Sequence, residues 1–358
     1  MFKSFKNNLG VMVIAITAII LNSCKDNSEK YFSDSLKVVN PANVERTDIL
    51  QGIPVVNELI GAGLFNVVDT LICFDAEQDG KLFTICTLDG DSVAVIGIRG
   101  QGPNDFISTV LNKQNFYNGK NDFGTWVVDA NSSCLKQLNI GKSLSSGSCV
   151  VDSIIPIQPM VSDAFVVGDT ILQVTFGEGN YDLTMTSADG TLLDKEPLYQ
   201  IPVDKSDIFY FYSARTGVSP DNRYLVMAMS SINQLNILDL QKGKARKSVS
   251  IGGVQNRESV MDSERPDWHT PAWTYYSNLA LSDKYIFALY RNMAYNYPGD
   301  QEKKSGELHV FDYDGNPVCI IPLDRFIYVI SYSPENNSIY ALGEEDKVWR
   351  YDLSDAKL

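Results

Sequence analysis

Residues 67–98 read VVDTLICFDAEQDGKLFTICTLDGDSVAVIGI, and their pattern decides the fold. Three apolar runs, 67–76, 81–88 and 91–98, are divided by Asp79-Gly80 and Asp89-Gly90. Val, Ile, Phe and Thr fit a pleated, half-buried surface, and Asp-Gly closes two-residue hairpins. The stretch therefore reads as an antiparallel meander. Its leading strand recurs at Leu71 (LICFDA), Trp126 (WVVDA), Ile171 (ILQVTF), Tyr224 (YLVMAM), Tyr285 (YIFALY) and Ile339 (IYALGE). The spacings of 55, 45, 53, 61 and 54 residues each hold four short strands and their turns. A repeat of this length predicts an all-β chain, a six-bladed β-propeller of four-stranded antiparallel blades.

The last unit ends one strand short, after residues 339–342 and 347–353. Near the other end, residues 49–56 are apolar and belong to no unit. An N-terminal strand completing the last blade is therefore expected. Closure removes the sheet edges that would otherwise recruit other chains.

The first residues stand outside this fold. Lys3 and Lys6 precede an apolar run at 9–21, which is shorter than the roughly 20 residues a bilayer span needs. Leu21-Asn22-Ser23-Cys24 resembles the bacterial lipobox, in which a cysteine is freed by cleavage and acylated. The expected organisation is a signal peptide at 1–23, lipidated Cys24 and a tether at 24–45, and the propeller at 46–358. This arrangement implies an outer-membrane lipoprotein on the periplasmic or cell-surface side, touching the membrane through its lipid alone.

The whole chain carries a formal charge of −14, and −16 once the two signal-peptide lysines are gone. Such a surface repels phosphate backbones, so no nucleic-acid partner is expected. Five cysteines follow Cys24, none with C-x-x-C spacing. A two-residue turn at Asp79-Gly80 sets Cys73 opposite Cys86, and counting outward from Gly141-Lys142 sets Cys134 opposite Cys149. Two disulfides, or buried thiols acting as small hydrophobes, both fit this spacing.

The run Gly61-Ala62-Gly63, then Val67-Val68-Asp69-Thr70-Leu71-Ile72, then Ile98-Arg99-Gly100-Gln101-Gly102-Pro103-Asn104-Asp105-Phe106 resembles a known group. It is similar to the TolB-like six-bladed β-propeller lipoproteins of Bacteroides and relatives, where the last stretch reads close to G-R-x-G-x-G-P-x-E-F. Ile98 replaces a polar position and Asp105 a glutamate. The resemblance implies the propeller and a cell-envelope location, and it carries over no enzymatic activity.

Motifs for chemistry are sparse. The glycines after Arg99 follow a strand but lead into no helix carrying Lys-Ser/Thr, so they read as a crossover between blades with Phe106 tucked beneath. Asp75, Glu77 and Asp79 mimic the start of a calcium loop, but its twelfth position falls on Cys86. The two histidines, His269 and His309, form neither a zinc motif nor a triad. Ser145 to Ser148 reads as a loop. No catalytic residue, metal site or cofactor is assigned.

The long connections point elsewhere. In a four-stranded blade the d-to-a crossovers and b–c hairpins share one face, and the a–b and c–d turns share the other. Residues 253–276 form an unusually long connection holding Trp268, His269, Trp273 and Tyr275. With Arg291, Tyr295, Tyr297 and Arg99, these residues place a ligand-binding site on the crossover face. Aromatic rings beside Arg and His suit a sugar ring or a peptide. The leading expectation is a monomeric, non-catalytic envelope lipoprotein that binds a protein, peptide or glycan. A propeller hydrolase or lyase with metal or carboxylates at the channel mouth, and a scaffold of an outer-membrane assembly, are the alternatives.

Overall fold

The computed structural model describes residues 30–57, 61–204, 211–255, 272–295 and 305–358 apart from Lys357. Within them the six units form six sheets around a ring, with the first strand of each unit innermost. The inner strands of blades 1 to 6 are Leu64–Val68, Val110–Gly119, Val161–Val167, Ala214–Val218, Ala272–Leu281 and Ile327–Ser333. Each leads outward through an antiparallel meander. The second strands begin at Leu71, Tyr224 and Tyr285 in blades 1, 4 and 5, as the period requires.

The ring closes as the missing strand demanded. Ile53–Val56 is the outermost strand of blade 6, antiparallel to Val348–Asp352 with Val348 opposite Val56 and Arg350 opposite Ile53. The chain before it is also part of the fold. Leu36–Val39 adds a parallel fifth strand to blade 4, with Leu36 opposite Ser248. Glu45–Arg46 does the same on blade 5, where the Thr47 amide then donates to the Ile320 carbonyl at 3.0 Å. Further upstream, Tyr31 and Phe32 are fully buried between blades 3 and 4 beside Tyr199, Phe211 and Tyr212. Tyr31 and Phe32 thus pack into the fold from inside the segment expected to be tether. The N-terminal segment is a strap across the outer edges of three successive blades.

One glycine guards this closure. Gly90, in the outer turn of blade 1, has φ +95°, and a Cβ there would lie 1.7 Å from the Val55 carbonyl oxygen on the closing strand. Gly90→Ala is expected to lower stability by more than about 1 kcal/mol in urea unfolding, through both strain and clash. An unchanged midpoint would show that the closing strand is not seated there.

Two kinds of contact join neighbouring blades. Apolar side chains fill each junction, for example Phe83, Phe106, Val127 and Leu138 between blades 1 and 2. Nearer the axis, a polar side chain crosses each junction. Asn66 donates to the Asn112 carbonyl, and Asn112 donates to the Ala164 carbonyl. The Thr216 hydroxyl donates to Asp163, and Arg215 Nε donates to the Ser277 carbonyl at 3.1 Å. Asn278 accepts from the Ile330 amide at 3.2 Å, and Ser331 accepts from the Val67 amide at 2.9 Å. The circuit runs through all six junctions, and each such bond contributes about 0.5–1.5 kcal/mol net.

Local register overturns both cysteine pairings. The turn does set Gln78 opposite Lys81, but the ladder shifts between Asp75 and Gln78, leaving Ile72 opposite Cys86 and Cys73 opposite Ile85. A one-residue shift moves side chains to the other face of a sheet. Cys86 therefore packs in the junction of blades 6 and 1, and Cys73 in that of blades 1 and 2. Cys134 lies opposite Pro156 rather than Cys149. Cys73, Cys86, Cys134, Cys149 and Cys319 are all free. The expected loop at Ser145 is the end of a helix, Ile140–Ser146, capped by Asn139 at its start and by left-handed Gly147 after it.

Candidate functional site

The residues expected on the crossover face are dispersed. Arg99 pairs with Glu77 at 3.1 Å and donates to the Ile107 carbonyl at 3.3 Å. In the same loop the Gly102 amide donates to the Asp105 carboxylate at 2.9 Å, so the loop answers its own amide. Phe106 is buried beneath, edge-on to Phe83.

Trp273 lies in blade 5, where the first two strands outrun the third: Glu307 pairs with Tyr290, and residues 291–295 project beyond it with 272–274. On this ribbon Trp273 is exposed, its Nε1 donating to Asn292 Oδ1 at 3.1 Å. Tyr275 is buried against Tyr290 and offers little face to a ligand. Arg291 reaches blade 6, donating to the Ile327 carbonyl at 2.7 Å with its guanidinium over Phe326. Tyr295 pairs through its backbone with Ala272, and its side chain lies outside the described residues. Cys24, Trp268, His269 and Tyr297 also lie outside them. His309 is buried, stacked on Tyr290 at 4.0 Å, with its Nδ1 3.0 Å from the Tyr276 hydroxyl.

Among the described residues, a large concavity opens on the opposite face. A cavity of about 1010 Å³ sits at the channel mouth where the inner strands turn outward, and every blade contributes to its wall. Its aromatic residues come from two sides. Blade 2 supplies Tyr117, well exposed and stacked on Phe123 at 6.3 Å, and half-buried Phe116, with Trp126 buried against Phe116. Blades 5 and 6 supply half-buried Tyr285 and Tyr332, with core residue Phe287 stacked against Tyr332 at 5.5 Å. In a ring of six, blade 2 stands opposite blade 5, so these aromatic walls face each other across the mouth. The rim also carries Asp69 from blade 1 and Asp283 and Lys284 from blade 5.

Blade 2 also supplies the floor. Between Leu111 and Asn115 its inner strand advances four residues while the partner strand moves only from Val127 to Thr125. The two extra residues bulge toward the axis, where amides brace them. Gln114 Nε2 donates to the Val166 carbonyl at 2.7 Å and to Asn222 at 3.1 Å, and Asn115 donates to the Val67 carbonyl at 2.7 Å. Lys113 crosses the channel, donating to the Ile330 carbonyl at 2.9 Å and the Phe65 carbonyl at 3.3 Å. It is largely enclosed by protein and is part of the cavity lining.

Burial first, then Arg215, pulls the Lys113 amine down to about 7, with Asp163 opposing. Burial pushes Asp163 up to about 6 against its hydrogen bonds from Thr216 and Ala164. Among the described residues, no group of three His, Cys, Asp or Glu side chains gathers to hold a metal.

Sequence reasoning missed this site because short turns build it. A signal was present all the same: Asp163, Thr216, Asn278 and Ser331 each stand seven or eight positions before the second strand of their unit. A recurrent polar residue in an apolar strand marks the axis of the ring.

A family model for TolB-like 6-blade propeller-like proteins matches residues 65–334. Among solved structures, one of a protein described as exported from Bacteroides fragilis NCTC 9343 is similar over 88% of this chain and 99% of that chain, with 11% identity and a TM-score of 0.52. Another, a member of the DUF4221 family from Bacteroides vulgatus ATCC 8482, is similar over 86% and 96%, with 13% identity and a TM-score of 0.52. At such identity the likeness speaks for the fold alone. None of the curated proteins matches the chain. The family match runs from the first inner strand to the turn after the last, over the same ring of six sheets, and the chain belongs to the TolB-like 6-blade propeller-like family.

Proposed function

We propose that this chain is an exported, lipid-anchored binding protein of the cell envelope, non-catalytic, whose channel-mouth cavity takes a saccharide. The lipobox-like residues ending in Cys24 support the anchor, and the similar B. fragilis protein is described as exported. One observation carries the ligand reading: aromatic walls from blade 2 and from blades 5 and 6 oppose each other across a cavity of about 1010 Å³. Such a volume stands at the upper end of ordinary ligand pockets. Sugar rings present apolar faces for stacking and hydroxyls for the polar groups between the walls.

A test is titration calorimetry of oligosaccharides against the folded protein and Tyr117→Ala and Tyr285→Ala. Each substitution is expected to weaken binding by about 2 kcal/mol, roughly thirtyfold. A second reading keeps the ligand on the crossover face, favoured by the exposed indole of Trp273 on its projecting ribbon. Trp273→Ala separates the two, since it leaves a channel-mouth ligand untouched and removes one held by the ribbon.

A further inference from the structure

We infer that the ligand of this cavity carries a carboxylate, held at the floor by Lys113, as in an oligosaccharide containing uronic acid. The inference rests on the saccharide reading above and names its class.

Lys113 is an enclosed amine held by carbonyl dipoles, with Asp163 acting on it only from beyond ion-pairing distance. Two of its three N–H donors go to the carbonyls of Ile330 and Phe65, on blades 6 and 1. Among the described residues no carboxylate comes within ion-pairing distance of it. Asp163 is directed to the Thr216 hydroxyl and the Ala164 amide. Arg215 adds a second positive charge facing the same part of the channel. Here the excess is positive, in a chain whose formal charge is −14.

Lys136 shows the contrast. It too is buried, but its Nζ sits 2.9 Å from the carboxylate of Asp129, itself fully buried. A desolvated ammonium without a counter-ion is unfavourable, and proteins ordinarily pair it. Lys113 is part of the cavity lining, and an entering carboxylate would supply both an ion-pairing partner and an acceptor for the third donor. The aromatic walls stack the rings that follow, while Asp69 and Asp283 at the rim oppose a ligand charged along its whole length.

The probes are a trisaccharide of two neutral sugars ending in one uronic acid, a neutral trimer of the same ring count, and a short peptide with a free C-terminus. They are titrated against the wild-type protein, Lys113→Met, Lys113→Gln and Tyr117→Ala. The acidic trimer is expected to bind wild type about tenfold or more tightly than the neutral one, a margin in keeping with a charged hydrogen bond. Both Lys113 variants lose that preference, while Tyr117→Ala weakens both trimers alike. The wild-type comparison needs no variant to fold. Equal binding of the two trimers overturns the carboxylate inference and leaves the saccharide reading standing. Binding of neither overturns the saccharide reading. Binding of the peptide alone, abolished in both Lys113 variants, supports the carboxylate at Lys113 and overturns its saccharide source.

Discussion

Asp129→Ala is expected to destabilise the propeller by about 3–5 kcal/mol, the range for breaking a buried ion pair from one side. Asp129 is fully buried where blade 2 receives the crossover from blade 1. Its carboxylate accepts from the Ile107 amide at 3.1 Å, the Ser108 amide at 2.9 Å and Lys136 Nζ at 2.9 Å. The alanine leaves the ammonium of Lys136 and two amides without their acceptor. Burial pushes the Asp129 carboxyl upward, but hydrogen bonds from Ser132, Ser108, Lys136 and Ile107 outweigh it and hold the group at about 2, below its ordinary 3.8. A depressed acid stabilises the fold fully above its unfolded value. That contribution, about 2 kcal/mol, disappears as the pH falls from about 4 through about 2. Urea unfolding at pH 7 measures the loss directly, and acid titration of the variant should show a shallower decline than wild type. A loss below 1 kcal/mol would falsify the assignment of this pair as a structural centre.

Removal of residues 30–57 should have a larger effect still: no cooperatively folded monomer. Without the strap, Val348–Asp352 becomes an open edge, blades 4 and 5 lose their fifth strands, and the junction of blades 3 and 4 loses Tyr31 and Phe32. Loss of a buried aromatic side chain alone costs about 3–5 kcal/mol. An exposed edge with unpaired amides then favours association. Size-exclusion chromatography and thermal melts decide the matter, and a truncated monomer with a sharp melt near wild type would contradict the role given to the strap. A milder companion, Tyr31→Ala with Phe32→Ala, should remain folded at a lower melting temperature.

Much of the ring was legible because period and alternation are local properties. Tyr224 and Tyr285 open their strands where the repeat placed them, and residues 53–56 supply the strand missing from the last unit. Shifts of register were not legible. A bulge before Gln78 turns Cys73 away from Cys86, and a larger one after Leu111 drives Lys113 into the channel. Both depend on how a strand bends against its neighbours. The tether reading failed for another reason. The burial of Tyr31 and Ser33 depends on partners such as Gln200 and Arg246, far away in sequence. The cavity escaped notice because loop length drew attention to the crossover face, whereas opposed aromatics become neighbours only once the ring is closed.

The strap also sets an order in time. Residues 36–56 leave the ribosome long before their partners at 248–251, 319–320 and 348–350 are made. Pairing across so much sequence is slow, because the loop must close before the contacts can reward it. The ring cannot be completed until Val348–Asp352 has been synthesised, and any product that stops before Val348 leaves Ile53–Val56 waiting for a partner that never arrives.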